Sequence, residues 1–112
     1  MKNLSIALVL LSAFAGALGP APVRAQDALT TTIKNHRFEP AELRVPAGKR
    51  ITLTVVNEDP TPEEFESRVL KVEKIIPGKT KAVVSFGPLK PGRYEFEGEF
   101  NSKTAKGVVI AE

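Results

Sequence analysis

An all-β sandwich is the fold class this 112-residue chain predicts, and three observations carry it. Past residue 28, apolar and polar residues alternate with the period of a strand. Proline and glycine punctuate that alternation at roughly 8–12-residue spacing, as turns between short strands require. No stretch of the same region keeps a helical period beyond about two turns. The length suits one domain.

The first segment stands apart from this pattern. Leu4 to Leu18 is a predominantly apolar run behind Lys2, shorter than the roughly 20 residues of a membrane-spanning helix. Gly19-Pro20 ends it, and Val23-Arg24-Ala25 then offers small residues where a signal peptidase reads. Residues 1–25 are therefore expected to be a secretory signal peptide, cut before Gln26, with a retained anchor as the alternative. The expected location is the periplasm, and residues 26–112 form the domain.

Leu29, Thr31 and Ile33 alternate with polar residues, as do Leu43 and Val45. Ile51-Thr52-Leu53-Thr54-Val55 is the cleanest strand, with β-branched residues on both faces. Val69–Ile76, Ala82–Phe86, Tyr94 and Phe96 with their intervening glutamates, and Val108–Ala111 complete about seven strands. Pro46-Ala47-Gly48, Pro77-Gly78 and Pro88 to Gly92 mark turns, proline setting φ and glycine permitting φ above zero. Parity predicts an antiparallel sandwich or barrel with a core of Leu29, Ile33, Phe38, Leu43, Val45, Ile51, Leu53, Val55, Phe65, Tyr94, Phe96 and Val109.

Composition excludes more than it identifies. With Lys2 and Arg24 removed, 14 basic residues face 13 acidic ones. No basic run is interleaved with aromatics, so nucleic acid is not an expected partner. The chain has no cysteine, which removes disulfides, thiolate metal sites, a cysteine nucleophile and a lipidated cysteine. Ser67, Ser85 and Ser102 lack a nucleophile elbow, and His36, the single histidine, sits between cations. No glycine-rich phosphate loop precedes a helix.

Three segments together resemble the cupredoxin fold. Phe38 to Gly48 is similar to its second-strand signature, Ile51 to Asn57 to the following strand, and Leu89 to Phe96 to the strand that delivers the ligand loop. The resemblance covers residues 29–112 and implies a Greek-key β-sandwich. Carried over position by position, the blue-copper ligands fall on Glu63, Gly98, Asn101 and Ala105. None of the four is a copper ligand of that set, and blue-copper electron transfer, which needs the thiolate, is excluded.

Carboxylates stand there instead. Glu58, Asp59, Glu63, Glu64 and Glu66 are followed along the chain by Glu95, Glu97 and Glu99. Hard oxygen donors suit Fe(III), Mn(II) or Ca(II). The string Thr61-Pro-Glu-Glu-Phe-Glu-Ser67, with Glu73-Lys74 and Gly98-Glu99-Phe100, resembles the small periplasmic cupredoxin-like proteins beside Ftr-type iron permeases, which are related to EfeO-type domains. That resemblance implies an iron- or copper-binding protein assisting iron uptake, with an inner-membrane iron permease and its periplasmic companions as partners. The metal ligands it implies are Glu63, Glu64, Glu66 and Glu99, with His36 as a nitrogen donor. A ferroxidase step rests on the resemblance alone. The chain departs from the pattern at Asn101 and at Arg68-Val69, where relatives carry histidine and a His-Asp pair. The alternative expectation is a metal-free cupredoxin that binds a protein partner. Separately, the acidic segment 58–66 reads equally as a solvated loop.

Overall fold

The computed structural model describes residues 29–112; the expected signal peptide lies outside them. Among the described residues nine strands run in chain order: β1 (Leu29–Lys34), β2 (Arg37–Glu39), β3 (Glu42–Val45), β4 (Ile51–Asn57), β5 (Glu63–Ser67), β6 (Val72–Ile76), β7 (Thr80–Phe86), β8 (Gly92–Gly98) and β9 (Lys106–Ala111). A 3₁₀ turn, Glu99–Asn101, follows β8. One sheet has the order β2-β1-β4-β7 and the other β3-β9-β8-β5-β6. The result is the all-β sandwich expected, with two corrections.

The first concerns direction. The pairing is mixed, not antiparallel throughout, because β1 runs parallel to β4 and β3 parallel to β9. Alternation alone is blind to this, since a strand shows the same period-two pattern whichever way its neighbour runs. The second concerns number. The predicted strand Val69–Ile76 begins only at Val72, because residues 68–71 turn: Lys71 takes a φ of 61°, and its amide donates to the Arg68 carbonyl. Two strands, β2 and β5, are additional. The acids of β5 hid its strand character, yet its burial alternates, with Glu63, Phe65 and Ser67 facing in.

The predicted core residues are buried except Leu29 and Tyr94, which pack partly buried at its edge; Leu70, Ile76, Val84, Phe86, Ala105 and Ala111 join it. At its centre Phe38, Phe65 and Phe96 form a triad. Phe65 and Phe96 stack with centroids 4.8 Å apart, and Phe38 meets both edge-on at 5.9 and 4.9 Å. Such pairs add about 0.5–1.5 kcal/mol each beyond area burial. The triad joins β2, β5 and β8, so it fixes where the inward positions of β5 stand relative to the end of β8.

Three polar residues secure the connections around β5. Asn57 is buried; its Nδ2 donates to the carbonyls of Thr61 and Ile76, and its Oδ1 accepts from the Asp59 amide. Ser67 Oγ donates to the Glu95 carbonyl and accepts from the Leu70 amide, holding β5 to β8 beyond the last ladder pair, Glu66 with Glu97. Asp59 accepts from the amides of Asn35 and His36, which turn β1 into β2 with φ of 55° and 59°. Burial works to raise the Asp59 pKa, but the two amides and the charges of His36 and Lys79 prevail and hold it below the ordinary 3.8. Its contribution to stability is complete above pH 3.8 and is lost as pH falls through the folded-state value.

Candidate metal centre

The residues aligned by resemblance with a blue-copper site do converge. The Gly98 amide donates to the Ala105 carbonyl at 2.8 Å, and Asn101 Nδ2 donates to Glu63 Oε2 at 2.8 Å. Glu63 Oε1 accepts from the amides of Phe100 at 2.8 Å and of its own neighbour Glu64 at 2.9 Å. Glu63 is 1% exposed, and among the described residues no cation pairs with it. Its carboxylate fills the space a side chain at 98 would need: a Cβ there would stand 2.6 Å from Glu63 Cδ and 2.8 Å from Ala105 Cβ. Glu63 and Ala105 together leave position 98 room for glycine alone.

The outer face of the same strands is different. Glu64 and Glu66 have the opposite parity to Glu63 and are half-buried there. The β5–β6 register sets Glu73 directly across from Glu66, and the β5–β8 register sets Glu97 on its other side. Glu64, Glu66, Glu73 and Glu99 can each bring one oxygen to within 4.8 Å of the others, and they form the one such group among the described residues. Glu99 stands beside Glu66 and raises the Glu66 pKa above the ordinary 4.5, first by a side-chain hydrogen bond, with some burial and the charges of Glu99 and Glu97 adding to it; Arg68 opposes. The adjoining groove is lined by Glu66, Arg68, Arg93, Glu95, Glu97 and Lys106. Lys106 reaches Glu97 at 3.4 Å, an exposed pair worth little.

The five candidate ligands therefore separate. Glu64, Glu66 and Glu99 come together. Glu63 faces inward and is committed to three donors. His36 lies in the β1–β2 turn, where its carbonyl accepts from Thr104 Oγ1, and it belongs to no such group among the described residues. Glu73 is a fourth member that the sequence does not mark as a ligand; the β5–β6 register brings it to Glu66. Segment 58–66 is not a solvated loop, because Asp59 and Glu63 are buried and its end is strand.

Residues 4–111 match the family described as the cupredoxin-like domain. The chain belongs to that family. A curated relative, the protein designated "Uncharacterized protein RP394" of Rickettsia prowazekii (strain Madrid E), is 44% identical over 79 residues. That stretch is 70% of this chain and 63% of the relative, so less than two-thirds of the relative's length is covered. Among solved structures, the oxidised form of a methionine-to-lysine variant of amicyanin is similar at TM-score 0.61 and 19% identity, over 79% of this chain and 89% of that one. A purple cupredoxin from Nitrosopumilus maritimus is similar at TM-score 0.59 and 19% identity, over 75% and 99% of the two chains. At these identities the likeness is one of fold.

A methionine-to-alanine variant of amicyanin is a Cu(I) form. A His₂Cys centre needs a thiolate and two imidazoles converging on one point. Here the convergent positions supply a glycine, an amide, a methyl group and a carboxylate whose oxygens are already engaged. The residues present do not fit that centre.

Proposed function

We propose that this cupredoxin-like domain binds a hard multivalent cation on the outer face of β5, β6 and the 3₁₀ turn, and that it serves iron uptake in the periplasm with iron as its cargo. The observation that carries the reading is the convergence of Glu64, Glu66, Glu73 and Glu99 to within 4.8 Å. Like charges set directly opposite across a sheet destabilise it, and a cation between them turns that repulsion into attraction. All-oxygen donors favour Fe(III), Mn(II) or Ca(II) over Cu(I). The assignment to iron, to the periplasm and to an Ftr-type permease with its companions follows from the EfeO-type resemblance of Thr61–Ser67 and Gly98–Phe100.

Thermal unfolding with chelated Fe(III), Mn(II) and Cu(II) tests it. A ligand that binds only the native state adds about 2.7 kcal/mol at a hundredfold excess over its Kd. For a domain this small that is a rise in Tm of roughly 10 °C or more. Fe(III) is expected to produce it, and Glu66→Gln and Glu99→Gln to remove most of it. A flat response to all three metals would leave the second reading, a metal-free interaction module, which is favoured by the closed, self-satisfied interior around Glu63.

A further inference from the structure

Glu63 is buried at a cost and stands apart from the outer carboxylates. A carboxylate taken from water without a counter-charge needs hydrogen bonds to stay ionised. Glu63 has three, and two of them come from the 3₁₀ turn: the Phe100 amide on Oε1 and Asn101 Nδ2 on Oε2. The turn has no side-chain cap of its own. Glu99, the residue immediately before Phe100, opens it on the exposed side and reaches Glu66. Meanwhile Glu64 and Glu66 extend outward from the strand that carries Glu63 inward. A single buried side chain thus ties the strand bearing two of the outer carboxylates to the turn bearing a third.

We infer that Glu63 is a positioning residue, an internal anionic clamp that binds the backbone of the Glu99–Asn101 turn and so holds Glu99 against Glu66 and Glu64, without itself touching the cation. The inference rests on the proposed cation site for its functional half; the clamp stands on the hydrogen bonds alone. It explains why the strand carries glutamates of both parities. The outward ones are the donors, and the inward one spends its charge on backbone amides.

Two measurements on the whole domain separate the alternatives: exchange of the Phe100 amide by NMR, and Mn(II) affinity by calorimetry. Glu63→Ala removes the clamp, and the loss of hydrogen bonds to a charged group predicts exchange at Phe100 faster by about tenfold or more. Mn(II) affinity is expected to fall by about tenfold with it, as one ligand swings free. Glu63→Gln should restore most of both and leave a loss of a few-fold, its carbonyl accepting from Phe100 and Glu64 while Asn101 flips to accept from the new amide, because these neutral hydrogen bonds are weaker than those to a carboxylate. Should Glu63→Ala not fold, Asn101→Ala removes one donor only and is expected to speed Phe100 exchange and weaken Mn(II) binding by a few-fold. Loss of Mn(II) binding in Glu63→Gln as complete as in Glu66→Gln, with Phe100 still protected, would make Glu63 a ligand and overturn the inference. Unchanged Phe100 exchange in the alanine variants would overturn the clamp. If the wild type binds no Mn(II) or Fe(III), the cation site fails, and Phe100 exchange by itself still decides the clamp.

Discussion

Gly48 takes a φ of +80° in the turn before β4, where its amide donates to the Leu89 carbonyl, and a Cβ there would meet nothing within 4 Å. The requirement for glycine is therefore conformational and not steric. An L-residue held there costs about 1–3 kcal/mol, least for asparagine, which tolerates the left-handed region, and most for a β-branched side chain. Thermal unfolding should rank Gly48→Asn above Gly48→Ala above Gly48→Val, with the valine lower than wild type by several degrees. Equal losses in all three would show that the left-handed φ does not set the cost, since all three keep the amide that donates to Leu89. Gly98 is the opposite case. There the neighbouring Glu63 carboxylate and Ala105 Cβ exclude a side chain, a requirement that no turn rule contains.

At the scale of the element, β5 works by giving its two faces to different tasks. Inward it contributes Glu63, Phe65 and Ser67, a clamp, a core aromatic and a bridge to β8; outward it presents Glu64 and Glu66 to the acids of its neighbours. The outer row makes the metal-free strand pair sensitive to pH in a stated direction. Glu66 has a pKa raised above 4.5 by its hydrogen bond with Glu99 and by the neighbouring charges. In the window above 4.5 the native state thus holds more proton than the unfolded chain, and stability falls as pH rises. Glu66→Gln is accordingly expected to raise the Tm of the metal-free protein at pH 7 and to lose that advantage below pH 4.5. Melting curves of the two proteins across pH 4 to 7 check this. Curves that stay parallel would show that Glu66 feels no repulsion. The acids that produce this behaviour also disguised the strand, because glutamate is a poor strand former and β-propensity reports mainly on fit to a half-buried surface.

For the molecule as a whole, the sandwich brings one end of β8, the inward side of β5 and the 3₁₀ turn to one place. The side chains delivered there do not make a copper centre. With no thiolate in the chain, Cu(II) added in excess is expected to give no intense visible charge-transfer band, whatever weaker complex the outer carboxylates form. An optical titration is sufficient, and an intensely coloured protein would contradict the geometry around Glu63 and Gly98.

The sequence by itself determined the fold class, most of the core, the need for glycine at 48 and the absence of a blue-copper site. Each follows from a local rule: alternation, turn stereochemistry or the presence of a ligand type. Tertiary structure alone decided the parallel pairings β1 with β4 and β3 with β9, the entry of Glu73 among the outer acids, and the separation of His36 and Glu63 from them. It also decided that Glu63 spends its charge on Phe100 and Asn101, more than thirty residues away. These depend on register between strands distant in the chain. Register is fixed by packing, here by the Phe38, Phe65 and Phe96 triad and the hairpin turn, and packing has no signature at any single position.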